Sequence, residues 1–425
     1  MLDEGIAAVD RLTGLSLQHL FLALYVITLL LLAGAAARVG SRLYRYRWTT
    51  VALLAALTLR HAIAKTGANT LESYFHPRLL AFALGLWGVA AFLERRDRLW
   101  IALVLLAAVV HPTTAAWFIA WLGVAAFAGR PRWRPAIAGL AVLGALAAAM
   151  LIWQGPLGAR FVRMDADWLA AVGDKDLYPL RWPIDVWLTN LIAVPIVLAC
   201  WRARAAAGLT VDGEAPVVIG AMSLLAVFAI WLPFDAAHVA LAVQLQAARV
   251  FWMIDVLGTI YLIWWLAEAS PSRRPPVVAA AVLAVSVLRG VYACWIQFPD
   301  RPVFAVDIKH DDWRDAMAFA AATDPGSGWL ADPIHAAKYG SSLRAAGRRD
   351  VLIEALKDRA IAMYDRRIAM RVLERDRALA AFAWNTPEGA RALARQFDLD
   401  YLVVDRALAL PLVHRSGSLY IYRLR

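Results

Sequence analysis

Cysteine is nearly absent, with two residues in 425, Cys200 and Cys294. Neither lies in a CxxC or Cys/His cluster, so no zinc site or disulfide framework is indicated. The chain has no Walker A loop, GxGxxG fingerprint, GxSxG elbow or HExxH helix. ATP hydrolysis, nicotinamide chemistry and zinc proteolysis are therefore disfavoured. No cleavable leader is evident. The first apolar run starts near Leu17, is too long for a signal-peptide core and lacks a small-residue cleavage site. No repeat of 20–50 residues is visible and no inverted duplication, which weighs against a transporter. Charge is also scarce, at 18% of residues against about 25% in soluble domains.

What fills the chain instead is apolar: 61% of residues are hydrophobic and 19 are tryptophan, with a mean hydropathy of +0.57. The apolar residues gather in runs at 17–38, 49–64, 79–93, 99–111, 113–128, 136–153, 184–201, 217–231, 250–267 and 277–297. Basic connectors separate alternate runs: ARVGSRLYRYRW, ERRDR, GRPRWRP, WRAR and SPSRRPP. All of them fall on one side if the N-terminus is outside, and the positive-inside rule makes that side cytoplasmic. The pattern predicts a polytopic α-helical membrane protein of about ten transmembrane helices, N-terminus outside. The net charge of +11 then belongs to cytoplasmic loops and the partner is the lipid bilayer, not nucleic acid. Ala/Arg-rich usage is a compositional hint of a GC-rich bacterium, hence of a bacterial inner membrane.

The transmembrane domain is expected over 1–298 and a small soluble α/β domain, extracytoplasmic, over 299–425. In the tail, Asp311 caps a helix DDWRDAMAFAAAT, and GWLAD reads as a strand. The stretch EALKDRAIAMYDRRIAMRVLERDRALAAF reads as one long helical segment. Thr386-Pro387-Glu388 opens another helix. DYLVVD is a strand, and LPLVHRSGSLYIYRL is two strands around a Ser-Gly-Ser turn. The stretch DAAHVALAVQLQAAR is expected along the outer interface, ahead of the span that follows it.

Charges inside apolar runs are costly unless paired or solvated. Asp255 and Arg289 each lie about 12 residues, or 18 Å, from the cytoplasmic end of their spans, which predicts an intramembrane ion pair between them. Arg249, at the mouth of the span that carries Asp255, is placed to clamp a phosphate through its planar fork or to snorkel to the headgroups. In TLESYFHPR, Glu72 and His76 are four apart and Pro77 starts a helix beside Arg78. A carboxylate, an imidazole and a guanidinium at a lipid–water boundary suit general-base work on a hydroxyl with an anionic leaving group; an ordinary Glu72–Arg78 ion pair is the plainer reading. His111 precedes Pro112-Thr113-Thr114, and the break there argues for a polar cavity, with His111 either structural or substrate-facing. Arg60 and His61 read as interfacial. Asp165, Asp167, Asp174 and Asp176 could bind a divalent cation, but no ligand pattern fixes such a site and a solvated face is the favoured reading.

The phrases ESYFHPRLLAFALGLWGVAAFLERRDR, HPTTAAWFIAW, QLQAARVFW and DYLVVDRALALPLVHRSGSLYIYRL together resemble bacterial membrane proteins of the GT-C glycosyltransferase type, over most of the chain. The resemblance implies a transferase that takes its sugar from a polyprenyl-phosphate-linked donor on the outer face of the membrane. It also implies arginine contact with the lipid phosphate, for which Arg249 and Arg78 fit. One departure stands out. The first span and acidic loop typical of that type are missing ahead of MLDEGIAAVDRLTGLSLQHL, so either the chain is truncated at its start or it is a divergent member without the usual base; Glu72, from its own loop, is the candidate base. Two further readings stay open beside the transferase: a transporter or lipid flippase using Asp255, Arg289 and His111, and a non-catalytic envelope scaffold.

Overall fold

The computed structural model describes residues 2–59, 62–173, 175–299 and 310–425. Arg60, His61 and Asp174 lie outside them. The chain divides into two units, one of residues 1–161 and 175–303, the other of residues 162–174 and 304–425.

The first unit is a helical bundle. In chain order it begins with α1 (Leu2–Thr13), α2 (Leu17–Leu43), α3 (Arg47–Leu57), α4 (Pro77–Leu93), α5 (Asp97–Val110), α6 (Pro112–Gly129) and α7 (Arg134–Trp153). A short helix of the second unit, α8 (Ala166–Val172), follows. The bundle resumes with α9 (Ile184–Leu191), α10 (Ala193–Ala206), α11 (Glu214–Ala236), α12 (Ala240–Leu245), α13 (Val250–Glu268) and α14 (Pro275–Tyr292). Among the described residues, seven helical segments are long and apolar enough to cross a membrane: 17–43, 112–129, 131–153, 184–206, 214–236, 240–268 and 275–297. α3 and α4 are apolar but shorter. Each of the ten apolar runs read from the sequence contains a helix.

α13 is the centre of the bundle, buried over most of its length. Its Trp252 stacks on Phe82 of α4 with ring centroids 3.9 Å apart and planes 6° apart. Small residues bring the other pairs together. Gly220 of α11 faces the Trp121 carbonyl of α6 so closely that a Cβ would lie 2.3 Å from that oxygen, and Trp121 Nε1 donates to the Val217 carbonyl at 2.8 Å. Close approach through glycine is how apolar helices gain contact where lipid supplies no hydrophobic drive. α7 and α14 carry the opposite pattern, exposed along almost their whole length.

Charge sorts to one end of the bundle. Arg38 pairs with Glu94, Arg95 with Asp212 at 2.5 Å, and Arg130 reaches Asp212 at 3.4 Å. Arg132 pairs with Asp97. Glu268 accepts from the backbone N–H groups of Arg45 and Tyr46 at 3.0 and 3.1 Å and from the Thr49 hydroxyl at 2.6 Å, satisfying the start of α3. Arg204 and Glu214 form a fully buried fork, 2.7 and 3.1 Å, whose carboxylate also accepts from the Tyr261 hydroxyl at 3.0 Å. These bonds draw together the basic connectors that the sequence spaces apart.

The expected Asp255–Arg289 pair does not form. Asp255 is buried inside the bundle, whereas Arg289 is on the exposed side of α14, and no ion pair joins them among the described residues. Sequence position sets the height of a residue along a span, but whether two side chains meet depends on rotation about the helix axes, which packing decides. The segment before α13 is broken away from it by His238 and Gln246, both left-handed at φ 57° and 49°. α12 between them packs onto α11, where Trp231 Nε1 donates to the Ala242 carbonyl at 2.7 Å.

The second unit is a five-stranded sheet with helices α15 (Asp312–Ala322), α16 (His335–Tyr339), α17 (Ala355–Ala362), α18 (Arg366–Ala381) and α19 (Pro387–Phe397). The strands are β1 (Gly328–Leu330), β2 (Asp350–Val351), β3 (Tyr401–Val404), β4 (Leu412–Ser416) and β5 (Leu419–Arg423), in the order β2-β1-β3-β5-β4. β1 runs parallel to β2 and β3; β5 is antiparallel to β3 and β4. Alternate residues serve opposite faces, as the strand period requires. Trp329, Val403 and Ile421 pack with Trp313 and Met317 on one side. Leu330, Leu402, Val404 and Tyr422 pack with Leu393 on the other. The long helical stretch expected after Glu354 is two helices, because Asp365 accepts from Arg367 N–H at 2.7 Å and starts α18 afresh.

Residues 162–174 belong to this second unit by packing. Asp165 caps α8, accepting from Trp168 N–H at 2.9 Å, and pairs with Arg366 at 2.6 Å. Asp167 pairs with Arg377 at 2.9 Å. Trp168 is buried and its Nε1 donates to the Ala362 carbonyl at 2.8 Å.

Candidate functional site

One group of polar residues in the bundle collects where α4 and α6 begin. Both helices start with a His-Pro pair. Proline suits the first helical position, where its missing N–H costs nothing, and the histidine before it supplies the cap. His76 Nδ1 accepts from Arg78 N–H at 3.2 Å. His111 Nδ1 accepts from Thr114 N–H at 3.3 Å and lies 2.9 Å from the Thr114 hydroxyl. The Thr114 N–H, left without an intrahelical partner at this helix start, is thus satisfied by His111.

A ring whose Nδ1 accepts carries its proton on Nε2, so each imidazole is left with an N–H donor. The two rings are neighbours, 6.4 Å between centroids at 71°. Burial holds His76 down to about 4, helped by the charge of Arg78 and, more weakly, Arg249. Burial also holds His111 down to about 4, followed by the charge of Arg249, then His76 and Arg78. Arg249 therefore acts on both rings. The cluster comprises two neutral N–H donors, two guanidiniums and two helix N-termini.

Glu72 does not stand open as a base. It is buried, and its Oε1 accepts from Arg78 Nε at 2.9 Å and from a terminal guanidinium nitrogen at 2.5 Å. Oε2 accepts from Asn69 Nδ2 at 3.1 Å. Tyr25 donates to the Glu72 carbonyl at 2.8 Å, pinning the loop to α2. The catalytic role expected of Glu72 gives way to a positioning one, because its Oε1 is spent on Arg78 and its Oε2 is held by Asn69. The structure brings together His76, His111, Arg78, Glu72 and, by its field, Arg249, and leaves Asp255 and Arg289 outside the cluster.

The acidic loop weighed as a cation site or a solvated face is divided. Asp165 and Asp167 pair with arginines of the second unit, while Asp176 pairs with Lys65 at 2.6 Å in the first. Among the described residues no group of three or more His, Cys, Asp or Glu could hold a metal ion. Sequence reading passed over Asp235, a buried carboxylate at the end of α11. A charge at the boundary of the run ending LPFDAAH was the signal.

The apolar helices and the sheet at the chain's end define a multi-span helical membrane protein with a small C-terminal α/β unit. No protein-family model, curated protein or solved structure matches the chain.

Proposed function

We propose that this chain is a GT-C-like glycosyltransferase of the bacterial inner membrane that holds a polyprenyl-phosphate-linked sugar at His76, His111, Arg78 and Arg249. The observation that carries the phosphate is the cluster itself. Neutral imidazole N–H groups, guanidiniums and helix N-termini all favour negative charge, and they do so where water is partly excluded. They are what a phosphodiester leaving group needs as its charge develops. Support for the sugar and the polyprenyl chain is the resemblance of the HPR, HPTT and tail phrases to that class.

Orientation follows from the other end. Four of the five basic connectors carry the ion pairs of one end of the bundle, and the positive-inside rule makes that end cytoplasmic. On this reading the cluster faces the outside, the C-terminal unit is extracytoplasmic, and the short apolar helices α3, α4 and α5 also cross, giving about ten spans in a locally thinned bilayer. A transport reading is weaker, since the intramembrane ion pair it relied on is not made.

The test is binding of undecaprenyl phosphate to the full-length protein in nanodiscs, with undecaprenol as control. Saturable binding that prefers the phosphate, weakened at least tenfold by Arg249→Leu and by Arg78→Leu, is expected. Equal binding of the alcohol, or no effect of either substitution, would remove the donor site.

A further inference from the structure

Three buried carboxylates of the bundle have partners of opposite charge. Glu72 holds Arg78, Asp97 holds Arg132, and Glu214 holds Arg204. Asp235, 1% exposed, makes no ion pair among the described residues, and its Oδ1 has no hydrogen-bond partner there. A buried carboxylate without a donor is costly, and an intramembrane ionisable group that is kept despite the cost is a functional candidate.

The surroundings of Asp235 lead outwards. α11 ends one residue later, at Ala236, and the chain turns back through His238, left-handed at φ 57°. The His238 ring lies edge-on to Tyr178 with centroids 5.0 Å apart. The Arg181 guanidinium lies over the other ring of that pair, 5.0 Å from the Tyr178 centroid. Tyr178 is buried and Arg181 exposed, so this wall runs from the interior to the surface. Arg181 is the cation whose field reaches Asp235. α11 also packs against the turn 247–249, which carries Arg249. The unpartnered carboxylate and the phosphate-directed arginine therefore share one end of the bundle.

The geometry points to Asp235 as the catalytic proton acceptor for a hydroxyl-bearing acceptor that enters past Arg181 and Tyr178, an inference that rests on the donor site proposed above. In the step, the acceptor O–H bond breaks and its proton passes to the Asp235 carboxylate. The oxygen lone pair forms the bond to the anomeric carbon. The bond from that carbon to the phosphate oxygen breaks, and its electron pair leaves on the polyprenyl phosphate, held by Arg78 and Arg249. The Asp235 proton then returns to water along the Arg181 side.

The experiment uses full-length protein in nanodiscs with radiolabelled polyprenyl-phosphate sugars from host membranes, and measures sugar transfer beside undecaprenyl phosphate binding. Asp235→Asn is expected to lower transfer at least 100-fold with binding within twofold of wild type and an unchanged melting temperature. Asp235→Glu, which restores a carboxylate, is expected to recover measurable transfer. Transfer by Asp235→Asn within threefold of wild type would overturn the inference while leaving the donor site standing. So would equal losses in the Asn and Glu variants. Wild-type protein that binds no undecaprenyl phosphate, or transfers no sugar, would fail the donor reading itself and the proton-acceptor role with it.

Discussion

A histidine that caps a helix through Nδ1 has committed its tautomer, and His76 and His111 do so side by side. That commitment has a pH signature. The unfolded chain takes up protons on these rings near the ordinary histidine value of 6.5, the folded chain only near 4. Between those values the unfolded state binds more protons, so stability is full above pH 6.5 and falls as pH drops towards 4. The double variant His76→Asn, His111→Asn keeps good capping residues and removes both titrations. Its melting temperature in detergent is expected to decline less between pH 6.5 and 4 than that of wild type; an identical decline would show that other groups set the acid limit. Most of this cluster was legible in the sequence, because His-Pro helix starts and a neighbouring arginine are local patterns. The role of Glu72 was not, since residue types alone do not say whether a carboxylate is free or spent on a guanidinium. The Asp255–Arg289 pairing failed for a related reason: depth along a span is local information and azimuth is not.

At the scale of elements, the bundle depends on places where side chains are missing. Gly220 lets α11 lie against the backbone of α6, and the obstacle to a larger residue is the Trp121 carbonyl, which cannot rotate away as a side chain would. Gly220→Ala is expected to destabilise the protein by about 1–3 kcal/mol, the usual cost of overpacking. Thermal unfolding in detergent measures it, and an unchanged midpoint would mean the helices have room to separate. The apolar runs announced the helices, and the caps at Asp311 and Thr386 announced their starts. The break between α17 and α18 was hidden because Asp365 sits in an otherwise continuous helix-favouring stretch. β2 was hidden because two residues carry no period to read.

At the scale of the whole molecule, the second unit is discontinuous in sequence. Trp168, supplied from the middle of the chain, fills a place against α17 and α18 that the tail does not fill itself. Trp168→Ala is expected to cost that unit about 3–5 kcal/mol. Limited proteolysis should then cut the region 355–381 at least 100-fold faster while the helical bundle resists as before; unchanged cleavage would mean α8 is an ornament. No local pattern in the loop after α7 signals this, because a segment that joins a distant domain is recognised only by the surface it meets.

The same discontinuity counts membrane crossings by parity. Residues 162–174 and 304–425 pack as one body, so both must be delivered to the same compartment, and the chain between them must cross an even number of times. Four membrane-length segments lie in that interval, 184–206, 214–236, 240–268 and 275–297. The loop left behind after α7 thus waits as a template strand waits for its complement, until Ala362, Arg366 and Arg377 arrive about 200 residues later, a delay of roughly 10 to 40 s at ordinary rates of synthesis.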